Sequence, residues 1–402
     1  MVFFSRYAES ILSKIPSNRM LSLDVFRGLT ITAMILVNNP GSWSYVYAPL
    51  SHAQWHGWTP TDLIFPFFIF IVGVSISLSV TVMQAKGLSQ SAIVHSSAIR
   101  AAKLFALGLF LALFYFNFIA DNYDWLEQRL YSIRLLGVLQ RIAVVYLFCV
   151  LSYLYLPKKY FYAMGPLLLV LYAVLMLCVP YNDTQGNVYQ GLLIKGNNLA
   201  AWVDHLLLTT NHVYDSSTHP FSFDPEGLLS TLPAVASCIS GVAVGDYLQR
   251  ATQNRTPLLP QVKMLLFWGL VLTSAGWLLD PVFPINKQLW SPSFVFLSSG
   301  IAILSLALCI YVIDHRGIKG WSAPFIVFGA NSIAFYLFAC IAERILIMVP
   351  VQGISLKAFL FSHVYQPLLG NYNGSLAWSL SFLIVSYVIF HYMYKKRIIW
   401  KV

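Results

Sequence analysis

An all-α, polytopic membrane bundle of about ten transmembrane helices is the fold class this sequence predicts, and three observations carry it. Hydrophobic residues fill 58% of the 402 positions and charged residues 10%, with a mean hydropathy of +0.69. An average soluble domain has roughly 45–50% apolar and about 25% charged residues, so too little polar surface remains here to solvate a globule. Ten apolar stretches come close to the roughly 20 residues needed to cross a hydrocarbon core about 30 Å thick. They run over residues 23–39, 62–83, 98–119, 136–156, 160–180, 228–249, 262–282, 292–313, 321–349 and 373–394. None shows the alternating polarity of a barrel strand, and backbone amides in lipid must be satisfied within their own segment, so each is read as a helix.

Placing the N-terminus in the cytoplasm leaves all but seven of the 25 Lys and Arg on that side. The seven are Arg129, Arg134, Arg141, Lys195, Lys287, Arg344 and Lys357. This positive-inside bias predicts an even number of spans with both termini cytoplasmic. It also accounts for the net charge of +10. Cations scattered over short turns argue against a nucleic-acid partner. Residues 1–20 have no continuous apolar core and no small-residue cleavage site, so a removed signal peptide is not expected. Val2, Phe3, Tyr7, Ile11 and Leu12 fall near helical spacing and predict an amphipathic cytoplasmic helix on the membrane surface, followed by one transmembrane domain over 21–402. Cys149, Cys178, Cys238, Cys309 and Cys340 all lie inside spans as small apolar residues, and neither a disulfide nor a metal site is expected of them.

Three segments on the side away from the cytoplasm, 40–61, 181–227 and 350–372, are expected to form a polar lid. A mixture of Asn, Asp, His and Tyr suits a sugar, although interfacial aromatic belts give the same composition. In SHAQWHGWTPTDLIFPFFIFIVG, His52 and His56 are four residues apart at the mouth of an apolar run. A shared zinc would be one reading, but the glutamate of the zinc-protease motif is missing and Gly57 and Pro60 interrupt a helix. Acid–base chemistry needs only one water-accessible imidazole; an imidazole that merely bonds loop backbone is the plain alternative. Asn38 ends the first span and Asp62 opens the second, which delivers an amide for an oxyanion and a carboxylate to orient the ring. Helix capping explains both equally well. Trp55, His56, His212, Asp224 and Glu226 are the candidate substrate contacts in the lid, where His205, His212 and His219 recur every seven residues. Arg27, Arg100, Lys103 and Lys263, with the intramembrane Arg141, are the candidate cations for an anionic cofactor. Asp24, Asp246, Glu343 and Arg344 are further charges inside spans.

The segments LDVFRGLTITAMILVNNPG, HAQWHGWTPTDLIFPFFIFIVGVSI, GVLQRIAVVY, VDHLLLTTNHVY, DPEGLLSTLPAV, INKQLWSPSFV, GANSI and YKKRIIWKV, in this order over residues 21–402, resemble the heparan-α-glucosaminide N-acetyltransferase family and its bacterial relatives. The resemblance implies a polytopic enzyme that takes acetyl from cytoplasmic acetyl-CoA and passes it to a glucosamine amine across the membrane. It places the family's catalytic histidine at His52 rather than His56, and matches the asparagine ending the preceding span to Asn38. It also implies a homodimer and a bacterial inner membrane; the extra luminal domain and leading span of the lysosomal enzyme are a point of departure and are not expected here.

The expected reaction is acetyl transfer to an amino sugar, directly with His52 as base, or through an acetylated His52. No metal is expected. Two alternatives stay open: a transporter of amino sugars or their oligosaccharides, and an O-acyltransferase of a cell-envelope glycan.

Overall fold

The computed structural model describes residues 2–13 and 20–400. Lys14, Arg19 and Lys401 of the charge pattern lie outside the described residues, as do the side chains of Val2 and Phe3. A surface helix α1 (Val2–Leu12) precedes the bundle. The crossing helices are α2 (Leu21–Asn38), α3 (Ile64–Ala85), α4 (Gln90–Leu113), α5 (Val138–Tyr155) and α6 (Lys158–Cys178). After a short helix α7 (Leu199–Leu208) come α8 (Thr231–Gln253), α9 (Leu258–Leu279) and α10 (Pro292–Cys309), the last continued to His315 by a wider turn. Then follow α11 (Ala323–Ala330), α12 (Ser332–Met348), two short helices α13 (Leu356–Leu360) and α14 (Gln366–Leu369), and α15 (Asn371–Lys395). Among the described residues nine helices are long and apolar enough to cross a membrane, and a bent pair makes up to ten. The protein is a multi-pass helical membrane protein.

α2, α3, α8 and α10 fill the centre, while α4, α6, α9 and α15 turn most of their surface outward. With no water to expel in lipid, close backbone approach holds such helices together. A Cβ on Gly73 of α3 would fall 2.0 Å from the Cys238 carbonyl oxygen of α8, and one on Gly28 of α2 would fall 1.8 Å from the Phe325 carbonyl oxygen of α11. Only glycine permits either crossing.

Two spans depart from expectation. The third lies nearer the N-terminus than 98–119: α4 ends at Leu113, and the Phe116 and Phe118 rings meet at a tilt with centroids 4.7 Å apart instead of continuing the helix. The ninth is not one helix over 321–349, because the chain bends by 74° between Gly320–Ala330 and Ser332–Met348. Asn331 sits at the bend, its amide donating to the Ile398 carbonyl at 2.9 Å and its oxygen accepting from Trp400 N–H at 2.9 Å. The start of α2 also reaches this point, since a Cβ on Gly329 would meet the Asp24 carbonyl oxygen. Both described ends of the domain therefore gather at one end of the bundle.

The 181–227 segment is more than a polar lid. It folds into two small hairpins (Tyr181–Asn182 with Val188–Tyr189, Leu193–Ile194 with Asn197–Asn198) and α7. These enclose a second apolar core that includes Tyr181, Leu199, Phe221, Phe223, Phe283 and Leu289. The 350–372 segment instead packs against residues 40–47: the Tyr45 ring stacks on Phe361 with centroids 6.4 Å apart, and the Tyr47 ring meets Tyr372 at 5.4 Å.

Candidate functional site

The chain between α2 and α3 is pinned by one carboxylate. Pro60–Leu63 form a single turn that leads into α3, and Asp62 caps it by accepting from Thr59 N–H at 2.9 Å. The same oxygen accepts from Ala53 N–H at 3.0 Å, and the other lies 2.6 Å from His52 Nδ1. Capping and ring orientation are thus served by one side chain. The Asp62 side chain is 1% exposed and that of His52 is 41% exposed, so the carboxylate is sealed and the imidazole opens outward. A carboxylate at Nδ1 assigns the ring proton there and leaves Nε2 as the basic atom.

Lys287 completes this group and was not singled out by the sequence. It comes from the turn between α9 and α10, which is fastened to the histidine segment by Gly57 N–H donating to the Ile285 carbonyl at 2.7 Å and Gln288 donating to the Gln54 carbonyl at 3.2 Å. Lys287 Nζ is 3.3 and 3.4 Å from the two ring nitrogens of His52, and it is 3.9 Å from Asp62. Burial lowers the Lys287 pKa, with the charges of Glu226 and Asp62 opposing. The signal for Lys287 was only its sign, one of seven cations outside the positive-inside pattern.

Behind Lys287 lies a buried ion network. Arg134 donates to Asp224 at 2.8 and 2.6 Å and to Glu226 at 2.5 Å. Burial works against the Arg134 charge, but these two carboxylates outweigh it and hold its pKa above the ordinary value. Burial likewise works against the Glu226 charge, and Arg134, Arg141 and Lys287 together keep its pKa below the ordinary value. Arg141 is 1% exposed and donates to the Gly227 carbonyl at 3.0 Å and Ser230 at 2.5 Å. Asp204, also buried, accepts from Leu228 N–H at 2.8 Å, and its burial pushes its pKa up to about 7.

Several expected substrate contacts are committed elsewhere. Asp224 and Glu226 belong to the ion network. Trp55 donates to the Leu193 carbonyl at 2.7 Å and packs edge-on to Phe223, and His212 bonds the Ile133 carbonyl at 2.8 Å. His56 stays at the edge of the site, 3.5 Å from the Asn286 amide, its pKa lowered by burial against the opposing Asp280 charge. Asn38 is exposed, donates to the Met34 carbonyl at 2.9 Å, and has no hydrogen bond to His52 among the described residues.

On the opposite half of the bundle a cavity of about 420 Å³ runs along α3 from Ser79 to Phe68, about 16 Å at 1.5 Å per residue. Arg27 and Arg100 line it, with Asn331 and Trp400 at its edge. Arg27 donates to Ser75 at 3.0 Å and pairs with Asp24 at 3.5 Å. Arg100 lies over the Tyr146 ring, and its Nε is buried without a protein partner. Lys103 and Lys263 are exposed and outside the lining, and Arg141 belongs to the outer network, so only two of the five candidate cations come together. Among the described residues no three His, Cys, Asp or Glu side chains converge as a metal site. Asp246 is taken up by Ser77, Tyr153, Tyr162 and Lys158, and Glu343 by Lys357.

Fold and site together define a multi-pass membrane protein with a carboxylate-oriented histidine at one face and a cation-lined cavity opening toward the other. A family model for heparan-alpha-glucosaminide N-acetyltransferase, catalytic, matches residues 19–279, and the chain belongs to this family. It is 28% identical to the heparan-alpha-glucosaminide N-acetyltransferase of Mus musculus over 96% of this chain and 61% of that protein. It is 28% identical to the Homo sapiens protein of the same name over 97% of this chain. The chain spans 61% of the length of each of these relatives.

Proposed function

We propose that this protein is a transmembrane N-acetyltransferase that moves acetyl from acetyl-CoA, entering at the cytoplasmic face, to the amine of a glucosamine-type sugar at the opposite face. The observation that carries this reading is the cavity along α3. It begins beside Arg27 and Arg100, as the phosphates of a nucleotide need, and one Arg100 donor there lacks a partner. Its length of about 16 Å suits a pantetheine arm reaching halfway through a core about 30 Å thick. Its far end at Phe68 is six residues along the same stretch of chain from Asp62.

In this reading Asp62 fixes the His52 ring, and Nε2 takes a proton from the sugar amine as nitrogen attacks the acetyl carbonyl. The Lys287 ammonium faces the negative charge that develops on the carbonyl oxygen, and the exposed amide of Asn38 is a second candidate donor. Expulsion of the CoA thiolate completes the transfer. If Nε2 is instead acetylated first, the sugar amine receives the group from the histidine. Rapid mixing with labelled acetyl-CoA and no sugar separates the routes, because only the second leaves label on the protein.

Family membership supports this reading through the name its relatives carry. A liposome assay with acetyl-CoA on one side and labelled amino sugar on the other tests it. N-acetylated sugar on the sugar's own side is the expected result; unchanged sugar accumulating across the membrane would identify a transporter instead. Product acetylated on oxygen would assign the O-acyltransferase chemistry.

A further inference from the structure

A groove of about 610 Å³ lies between α2, α3 and α10, and shares no lining residue with the cavity beside Arg27 and Arg100. α2 faces it from Phe26 to Val37, about 16 Å at 1.5 Å per residue, or half of a hydrocarbon core about 30 Å thick. Leu308 on its α10 lip is 60% exposed, so the groove opens sideways to the surface that a bilayer covers.

No charged side chain lines it. Its walls are bulky hydrocarbon, among them Phe26, Leu29, Leu36, Phe67 and Ile301. The hydroxyls of Thr30 and Thr61 and the Trp321 N–H already donate to backbone carbonyls, at 2.8, 3.1 and 3.0 Å. A peptide or a bare sugar would leave its polar groups unmet there. A further helix fits poorly too, because helices in lipid close on small residues. This bundle does so at Gly28, Gly73 and Gly300, where a Cβ would strike the backbone of the neighbouring helix, whereas no glycine lines the groove. A hydrocarbon chain is the occupant that matches these walls.

One end of the groove is the histidine turn itself. Pro49, Leu50, Pro60 and Thr61 line it there, with Thr61 donating to the Pro49 carbonyl at 3.1 Å and Thr59 to the Ser51 carbonyl at 2.6 Å. Leu50 precedes His52 by two residues, at most about 7 Å of extended chain, and Thr61 adjoins Asp62. The same turn thus walls the groove and carries the imidazole with its carboxylate. A chain lying along α2 ends beside that ring.

We propose that the groove holds the hydrocarbon anchor of the acceptor, so that the amino sugar is presented to His52 as the head of a membrane glycolipid. The volume lies in the range of small-molecule sites. The inference rests on the acetyltransferase reading for the sugar and its acetylation, and adds the anchor. Exchanging one lipid tail for another gains little free energy inside a bilayer. The groove therefore orients the head, while confinement to the membrane raises its concentration at the site. Confinement favours any amphiphile, whereas orientation depends on the shape of the groove.

In the experiment, the full chain in liposomes receives acetyl-CoA with either glucosamine or dodecyl β-glucosaminide, and initial rates of N-acetylation are compared at equal acceptor concentration below saturation. The dodecyl sugar is expected to react about tenfold or more faster. Ala33→Trp and Leu308→Trp fill the groove from its α2 and α10 sides. Each should reduce that advantage below about threefold, while the rate with free glucosamine changes by less than about twofold. Acetyl-CoA binding checks that each variant is folded, and either one suffices if the other is not. Equal rates for the two sugars would overturn the anchor site, as would an advantage that survives the variants, which would leave confinement as the whole effect. Conversion of a dimer to a monomer by these variants would assign the groove to a second copy and also overturn it. A diazirine in the dodecyl chain adds a readout without turnover: label is expected on residues 26–37 and 301–312, and label spread over α4, α6 and α9 would contradict the site. Label in the groove with neither sugar acetylated would leave the site standing and remove the acetyltransferase reading.

Discussion

The inner cavity and the outer histidine group are built in opposite ways. The inner cavity is a gap between straight helices, lined by α3, α4, α5 and the bend at Asn331, and its cations reach it from within single spans. The outer group is assembled by loops: Asp62 and His52 come from one connection, Lys287 from another, and Arg134, Asp224 and Glu226 from two more. Helices create room for a long donor, whereas loops bring charges from distant parts of the chain into one place. The proposed function therefore places binding and chemistry in separable parts of the molecule.

That separation can be broken most directly at the histidine. His52→Ala is expected to lower turnover by about 10³-fold or more, in keeping with loss of a general base that acts with its partners, while acetyl-CoA binding by calorimetry stays intact. Loss of both would mean that the two regions are not separable. Lys287→Met should follow, lowering kcat by about 10²-fold, the scale of one oxyanion donor, with little change in KM for acetyl-CoA.

The Lys287 charge also gives a pH signature. Burial lowers its pKa, so the ammonium is lost at a lower pH than for an ordinary lysine near about 10.4, and activity should decline on the alkaline side before that value. Lys287→Arg, a cation that does not titrate there, should move that decline to higher pH. An unchanged alkaline limb would take Lys287 out of the reaction.

The converse experiment is Arg100→Gln. It should raise KM for acetyl-CoA about tenfold and leave kcat nearly unchanged, read from steady-state kinetics at saturating sugar.

The smallest effect concerns stability. Asp204 holds its proton up to about pH 7 when folded but releases it near about 4 when unfolded. The folded state therefore binds more protons across that window, and the stabilisation from the neutral carboxyl is full at the lower end and lost as pH rises through 7. Asp204→Asn mimics the protonated form. Its thermal stability relative to the native protein should increase between pH 4 and 7, and a flat difference would place the carboxyl in its ordinary range.

The bundle was legible because a 20-residue apolar run has few uses other than crossing a membrane. The break at Asn331 was not, since its cause is a clamp on Ile398 and Trp400, far along the chain. At the site, His52 and Asp62 were readable as neighbours ten residues apart. Lys287 was hidden because it meets His52 across 235 residues, through a turn held by backbone hydrogen bonds. Asp224 and Glu226 looked like lid contacts because local sequence does not reveal that Arg134, about 90 residues earlier in the chain, consumes them.

The central claim is that the imidazole of His52 meets a thioester delivered along α3 from the Arg27 and Arg100 end. A density map of the protein with a non-transferable acetyl-CoA analogue tests it. The nucleotide phosphates should lie against Arg27 and Arg100, with the thioester end within hydrogen-bonding reach of His52 Nε2. A nucleotide held at the His52 face, or a thioester ending well short of that ring, would contradict it.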